Sequence, residues 1–172
     1  MKRLLLFLIL SISASISYGD GSQNQGMIEA YKSYLGISNK VLLENNSIKP
    51  NKIQMHDYVV DGLFYYDGNY GFNILLKDNI SNRLIFRSNK FETQNGIMVG
   101  DNFCKVKKLH PNSKLIWGYD EGGIMRLHDE NTGVIFDFMT NKVYWELYDE
   151  NNPPSENIHE ICNSKINEIY LI

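Results

Sequence analysis

Histidine is the side chain of this sequence best suited to metal binding or proton transfer. The four histidines are His56, His110, His128 and His159. No two of them have the His-x₃-His or His-Glu-x-x-His spacing of a helical zinc site. A site built from distant segments would combine His128 with Asp120 or Asp129, but surface histidines are the simpler interpretation. The sequence therefore predicts no metal site and no cofactor.

The most distinctive polar stretch is Asp120-Glu121-Gly122-Gly123. One carboxylate could act as a general base beside glycines that permit close ligand approach. A solvated hairpin loop explains the same residues and is favoured, because catalytic carboxylates need a cleft. The sequence has no Gly-x-Ser-x-Gly elbow, phosphate loop or dinucleotide fingerprint. We predict no catalytic residues; a small periplasmic hydrolase, metal-dependent or carboxylate-based, that uses His128 is the alternative.

Aromatic residues flank this loop, and the chain contains 11 Tyr, 8 Phe and 2 Trp. At a surface, Tyr and Trp suit protein recognition because they combine a large contact area with a polar tip. Burial beneath a helix explains them equally well. The acidic groups would complement a basic partner and speed encounter. The predicted partner surface consists of Trp117, Tyr119, Asp120 and Glu121.

The first residues have the three-part pattern of a secretory signal peptide. Lys2 and Arg3 are followed by an apolar run, Leu4 to Ile16, and by Ser17-Tyr18-Gly19. The run is shorter than the roughly 20 residues of a membrane-spanning helix. We predict a signal peptide over 1–19, cleavage near Gly19, and a periplasmic or secreted protein without a membrane span. We expect residues 20–26 to form a flexible lead-in and residues 27–172 to form one domain.

Charge and cysteine content limit the function classes. The formal charge of −3 becomes −5 when cleavage removes Lys2 and Arg3. An acidic chain without a basic run is a poor nucleic-acid binder. Cys104 and Cys162 predict a disulfide in an oxidising compartment, and closing that loop contributes roughly 4 kcal/mol. A reactive thiol is the alternative, although neither cysteine has a Cys-x-x-Cys partner.

Hydrophobic patterns predict the elements that would position these residues. Apolar residues at helical spacing indicate a helix over Met27 to Leu35, Val41 to Leu43 indicates a short strand, and Pro50 marks a turn. The residues 58–66 predict a strand pair or one long strand with a bend at Gly62. Further strands are predicted over 72–77, 83–87, 115–119, 124–128, 134–138, 143–147 and 166–171, and turns at 67–69 and 78–82. The class is α+β, mainly an antiparallel meander with two short helices packed on one face.

The most strongly patterned stretch runs from Gly96 to Phe138. Ile97 and Val99 alternate in a predicted strand, and Gly100 allows a sharp turn. Asp101 is the predicted cap of a helix that carries an apolar face of Phe103, Val106 and Leu109. Cys104 lies on this helix, so the disulfide would join it to the C-terminal segment.

This stretch, NGIMVGDNFCKVKKLHPNSKL, resembles the second half of the sigma-E-regulated envelope lipoproteins of unknown function. The shared features are a Gly, an alternating apolar pair, a second Gly, a polar residue and a Phe-bearing helix. Here they correspond to Gly96, Ile97, Val99, Gly100, Asp101 and Phe103. The chain departs from that family because it lacks the lipid-attachment cysteine. The resemblance covers about a quarter of the chain and implies an envelope location and an α+β fold, but no reaction.

The sequence thus favours an exported, non-enzymatic binding protein of the bacterial periplasm or envelope. Its partner is expected to be a protein, not a nucleic acid. An inhibitor or immunity-type protein that acts on a cell-wall-active enzyme is one form of this hypothesis.

Overall fold

The computed structural model describes residues 26–55, 58–118, 124–138, 151, 155 and 159–172. Its main feature is an eight-stranded antiparallel sheet accompanied by short helices. The predicted α+β, sheet-dominated class is therefore confirmed. No helix within these ranges is long and apolar enough to cross a membrane.

The strands of the described ranges are β1 (Gly26–Met27), β2 (Ile48–Gln54), β3 (Val59–Tyr66), β4 (Gly71–Lys77), β5 (Ile80–Phe86), β6 (Phe91–Glu92), β7 (Lys114–Gly118), β8 (Ile124–Asp129), β9 (Val134–Phe138) and β10 (Ile166–Leu171). The helices are a 3₁₀ helix (Ile28–Tyr34), α1 (Asn39–Leu42), α2 (Phe103–Leu109) and α3 (His159–Cys162). The predicted strand over 143–147 lies outside the described residues.

The strand order in the main sheet is β2-β3-β4-β5-β10-β9-β8-β7. Two meanders, β2 to β5 and β7 to β9, are joined by the C-terminal strand, which pairs with β5 on one side and β9 on the other. Five of the six residues of β10 are buried, as expected for a strand at the centre of the sheet, and the buried residues include Glu168.

One face of the sheet is covered by the helices, and we call it the helical face. Ile28, Phe103, Val106 and Ile161 from three helices are buried there against sheet residues such as Phe136. All five have relative exposures of 0%. Burial of each such side chain contributes roughly 1.5–3 kcal/mol, so this layer supplies most of the hydrophobic stabilisation.

The opposite face is concave, because the end of β2 reaches across the sheet. Met55, directly after β2, shares a buried cluster with Ile85 of β5 and Tyr170 of β10. In a flat sheet four strand spacings would separate β2 from β10 by roughly 19 Å. The guanidinium of Arg87, which follows β5, also donates to the carbonyl of Gln54. The sheet therefore curls around a second, smaller cluster, and we call this side the concave face.

Two predictions near the start of the chain are wrong. Val41 to Leu43 is not a strand, because residues Asn39–Leu42 form α1. A three-residue apolar run has too little periodicity to distinguish the two. Pro50 is not in a turn but within β2. Proline is tolerated in an edge strand where its missing N–H would face away from the sheet.

The hydrogen bonds of β2 explain where its proline lies. Tyr66 N–H donates to the Ser47 carbonyl (2.8 Å) and Met55 N–H donates to the Tyr58 carbonyl (2.8 Å). Bonded pairs alternate in an antiparallel ladder, so the odd-numbered residues of this strand bond to β3. Pro50 thus occupies an outward position. A proline there blocks continuous pairing of another strand with this edge.

The Gly96–Phe138 stretch is only partly as predicted. The expected strand at Ile97 and Val99 is reduced to an isolated bridge between Met98 and Glu92. The predicted cap Asp101 is wrong, because the side chain of Asn102 accepts from Lys105 N–H (2.8 Å) at the start of α2. The Asp101 carboxylate instead accepts from Met98 N–H (2.9 Å) and fixes the preceding turn.

The structure joins α2 to α3 through a disulfide. The Sγ atoms of Cys104 and Cys162 lie 2.00 Å apart and their Cα atoms 4.8 Å apart. Both helices are only one or two turns long, which is too short to be stable alone. The disulfide therefore fixes α3, and with it the entry into β10, against α2.

Candidate functional site

The predicted partner surface is only partly within the described residues. Trp117 lies on β7, where its side chain is half-buried and packs against the core of the helical face. It neighbours Met125 of β8 across the strand pair. Tyr119, Asp120 and Glu121, together with the proposed hairpin loop, lie outside the described residues. Whether these four residues share a surface stays a prediction.

The histidine of the hydrolase alternative does not pair with Asp129, one of the two carboxylates proposed for it. His128 and Asp129 are successive residues of β8 and point to opposite faces of the sheet. Asp129 instead pairs with His110, with 2.7 Å between its Oδ2 and the imidazole Nδ1. Asp120 and Glu121 are outside the described residues, as is His56. In the described ranges, no three His, Cys, Asp or Glu side chains are grouped as metal ligands.

The His110–Asp129 pair is a buried connection between α2 and the β8–β9 turn. The side chains are 1% and 11% exposed. Burial acts to raise the Asp129 pKa, but hydrogen bonds from His110, Asn131 N–H and Thr132 outweigh it, so the pKa lies below its ordinary value. The second imidazole nitrogen lies 3.3 Å from Asn95 Nδ2. Both ring nitrogens are thus occupied by structural partners.

A row of charged side chains crosses the centre of the concave face. The row contains one residue from each of β8, β9 and β10 and the residue directly after β5: Arg126, Asp137, Glu168 and Arg87. Arg126 Nε lies 3.3 Å from the Asp137 carboxylate, and Arg87 is paired with Glu168. The two inner positions are acidic and the two outer ones are basic. Each carboxylate therefore has a guanidinium partner.

Tyr170 connects the two carboxylates of this row. Its hydroxyl oxygen lies 2.9 Å from Asp137 Oδ2 and 2.6 Å from Glu168 Oε2. Burial and the two nearby carboxylates raise the pKa of this hydroxyl, so it remains a donor. The guanidinium carbons of Arg83 and Arg126 lie 5.1 and 5.3 Å from the ring centroid, within cation–π range. The arrangement is suited to holding the curled sheet together.

Two openings are associated with the concave face. A cleft of about 200 Å³ lies between Gln54 and Met55 on one side and Glu168 and Tyr170 on the other. A second opening, of about 330 Å³, lies at the outer strands and is lined by Ser47, Lys49, Phe64 and others. The first is bordered by the Arg87–Glu168 pair, whereas the second is bordered by aromatic rings.

A larger groove of about 600 Å³ lies where α1 meets the outer strands. Its apolar lining consists of Leu43, Pro50, Leu63 and Leu76, and its polar lining includes Asn39 and the Lys52–Asp61 ion pair. We call this opening the α1 groove. Its volume falls within the usual 300–1,000 Å³ of ligand sites. An apolar lining with a few polar groups is also typical of such sites.

One exposed apolar side chain, Leu43 (40% exposed), lines the α1 groove, and two more lie close to it in the chain. Val41, 54% exposed, is on α1, and Ile80, 46% exposed, directly follows the lining residue Asn79. Ile80 is held beside α1 because it bridges to Ser38, directly before the helix. The sequence did not predict this site. The groove depends on a helix at Val41 and a strand at Pro50, where the sequence predicted a strand and a turn.

No protein-family profile matches this chain, and no curated protein matches it either. Among solved structures it is similar to a protein described as the uncharacterized protein YfeY from Escherichia coli. The TM-score is 0.50 and the sequence identity 15%, with 86% of this chain and 96% of the other covered. At this identity the likeness shows a shared fold and carries no reaction or partner.

Proposed function

We propose that this chain is an exported, non-catalytic binding protein that holds an apolar segment of a protein partner in the α1 groove. The observation that carries the proposal is the apolar lining of the groove by Leu43, Pro50, Leu63 and Leu76, of which Leu43 is 40% exposed. Apolar side chains concentrated beside a cavity are typical of interaction surfaces.

The partner is expected to insert side chains into the α1 groove and not to extend the sheet. Pairing with β2 would need its outward N–H and carbonyl groups. Pro50 has no N–H, Ile48 N–H donates to the Asn45 carbonyl (2.9 Å), and the Gln54 carbonyl accepts from Arg87. Little of the edge is left for a continuous ladder. A helix or loop that presents apolar side chains is therefore the form of partner proposed.

The non-catalytic part of the proposal is supported by the bonding partners of the buried carboxylates in the described part of the chain. Asp129 is bonded to His110, and Asp137 and Glu168 are bonded to arginines and Tyr170. Such carboxylates stabilise the fold and are not available as a general base.

Export is supported by the signal-peptide pattern of residues 1–19 and by the disulfide, which persists in oxidising compartments. Mass spectrometry of the protein from fractionated cells tests it. We expect a periplasmic or secreted chain that begins at Asp20 and contains an intact disulfide. A full-length, cytoplasmic chain would contradict the export.

The inhibitor or immunity-type role remains the finer proposal. A mature charge of −5 would favour encounter with a basic partner, and exported cell-wall-active enzymes are candidates. The double substitution Asp120→Lys and Glu121→Lys tests whether the predicted loop contributes to partner binding. It should slow association and so weaken recovery of the partner.

Affinity capture with matched variants tests the α1 groove. Leu43 and Leu109 are each 40% exposed, and Leu109 lies at the end of α2, away from the groove. We expect Leu43→Glu to lose a periplasmic protein that the wild type and Leu109→Glu both retain. Equal recovery with both variants would exclude the groove as the docking surface.

A further inference from the structure

The outer part of the concave face carries two parallel aromatic rings. Phe64 and Tyr66 are two residues apart on β3 and therefore point to the same face. Their ring centroids are 6.3 Å apart and their planes differ by 12°. Tyr66 is 53% exposed although it is a large aromatic residue. We call these two rings the aromatic pair.

Backbone and glycine contacts fix the aromatic pair in place. The Tyr66 hydroxyl donates to the Gly68 carbonyl (2.8 Å). The Phe64 ring lies over Gly71, where an added Cβ would be 2.5 Å from the ring Cζ. Glycine at this position thus allows the ring to lie close to the backbone of β4. Rings fixed before binding lose little conformational entropy when a ligand stacks on them.

Polar side chains border the aromatic pair on the β2 side. Lys49 lies opposite Phe64 in the β2–β3 pairing, and Ser47 lies opposite Tyr66. Asn46 completes the lining of this opening of about 330 Å³. The side chains of Lys49 and Asn46 make no hydrogen bond or ion pair with the rest of the described chain. On the β4 side, Phe64 lies opposite Asn73, which is buried and bonded to Asn51, and Tyr66 lies opposite Gly71, which has no side chain to cover the ring.

A ligand for this surface needs a flat apolar face and hydrogen-bonding groups at its perimeter. A pyranose ring has both, because its C–H groups form the faces and its hydroxyl groups the edge. A nucleobase also stacks on aromatic rings, but nucleic-acid chains bring phosphates that require several basic contacts. Among the described residues, Lys49 is the single basic side chain that lines this opening, and the chain is acidic.

We infer that the aromatic pair, with Lys49 and Asn46, forms a binding site for a glycan. Sugar rings stack on Phe64 and Tyr66, and the lysine and the carboxamide bond to the hydroxyl, acetamido or carboxylate groups at the sugar edge. The site lies on the opposite face of the β2–β3 ladder from the α1 groove, so both could be occupied together. It goes beyond the proposed protein-binding function and does not depend on it.

Isothermal titration of the purified protein with two defined oligosaccharides tests the site. The neutral probe is the β-1,4-linked tetramer of N-acetylglucosamine. The acidic probe is a tetrasaccharide of alternating N-acetylglucosamine and N-acetylmuramic acid. We expect binding of at least one probe and a loss of about tenfold or more in Tyr66→Ala, which removes one stacking ring. If the sugar carboxylate is recognised, Lys49→Met weakens only the acidic probe.

The control is Tyr58→Ala, because Tyr58 is also an exposed tyrosine (44%) but lies outside this opening. It should leave affinity unchanged. Because Tyr66→Ala could disturb folding, NMR of the wild type gives an independent measurement: the ring protons of Phe64 and Tyr66 should shift when a sugar is added. Absence of binding to both probes, equal loss in Tyr58→Ala, or unshifted ring protons would overturn the inference.

Discussion

Tyr170→Phe is the substitution that most directly tests the polar row of the concave face. It removes one oxygen, and the ring can keep its position between Arg83 and Arg126. In the wild type the hydroxyl lies 2.9 Å from Asp137 and 2.6 Å from Glu168. Without it, two carboxylates face each other across an apolar ring edge.

The expected cost follows from the chemistry of this contact. A hydrogen bond to a charged group contributes about 1.5–3 kcal/mol, so we expect about 2 kcal/mol of lost stability. For a chain of this size, that corresponds to a decrease in Tm of about 4–8 °C. Urea unfolding followed by circular dichroism measures the loss of stability, and a thermal scan measures the decrease in Tm.

A double variant distinguishes repulsion from the simple loss of a hydrogen bond. Tyr170→Phe combined with Glu168→Gln removes one of the two facing charges, so the penalty of the first change should be smaller in that background. The reasoning would be refuted if Tyr170→Phe changed stability by less than about 0.5 kcal/mol, the size of an ordinary surface substitution.

Three further predictions concern stability. Replacing both Cys104 and Cys162 by Ser should cost about 4 kcal/mol, seen as a lower urea midpoint; an unchanged midpoint would contradict it. Gly62→Ala should destabilise the fold, because the added Cβ would lie 2.8 Å from a backbone carbonyl oxygen. Gly118→Ala should be tolerated, because no described atom lies within 4 Å of its added Cβ. Equal shifts in Tm for the two variants would refute this. Folding lowers the Asp129 pKa, so the ionised carboxylate contributes its full stabilisation above about pH 4, and this stabilisation is lost as the pH falls further. In urea titrations Asp129→Asn should therefore be less stable than the wild type at pH 7 but lose less stability on acidification. Parallel pH profiles of the two proteins would disprove this.

Local patterns predicted much of the sheet. The Asp67-Gly68-Asn69 turn and the strands on either side of it were predictable because turn residues follow alternating apolar residues. In the structure Asp67 Oδ1 accepts from Asn69 N–H (2.9 Å), and Gly68 has a φ of 95°. The C-terminal strand was predictable from its composition, but its central place between β5 and β9 depends on pairing between distant segments.

The candidate sites were less predictable, because they depend on the curl of the sheet and on short elements. Pro50 is a turn signal in isolation, and only the register with β3 shows that its missing N–H faces outward. Met55 and Tyr170, which share a buried cluster, are distant in sequence. Periodicity contains no information on such contacts. The aromatic residues of β3 were visible in the sequence, but the exposure of Tyr66 was not.

Site-specific photo-cross-linking in cells that produce the protein tests the central proposal, that the α1 groove holds a partner protein. A photoreactive amino acid would replace Leu43 at the groove or, as the control, Leu109 on α2. We predict a discrete, higher-mass adduct from position 43 that is missing at position 109 and disappears when Ile80 is changed to Lys. Identical adduct patterns from both positions, or none from position 43, would contradict the account.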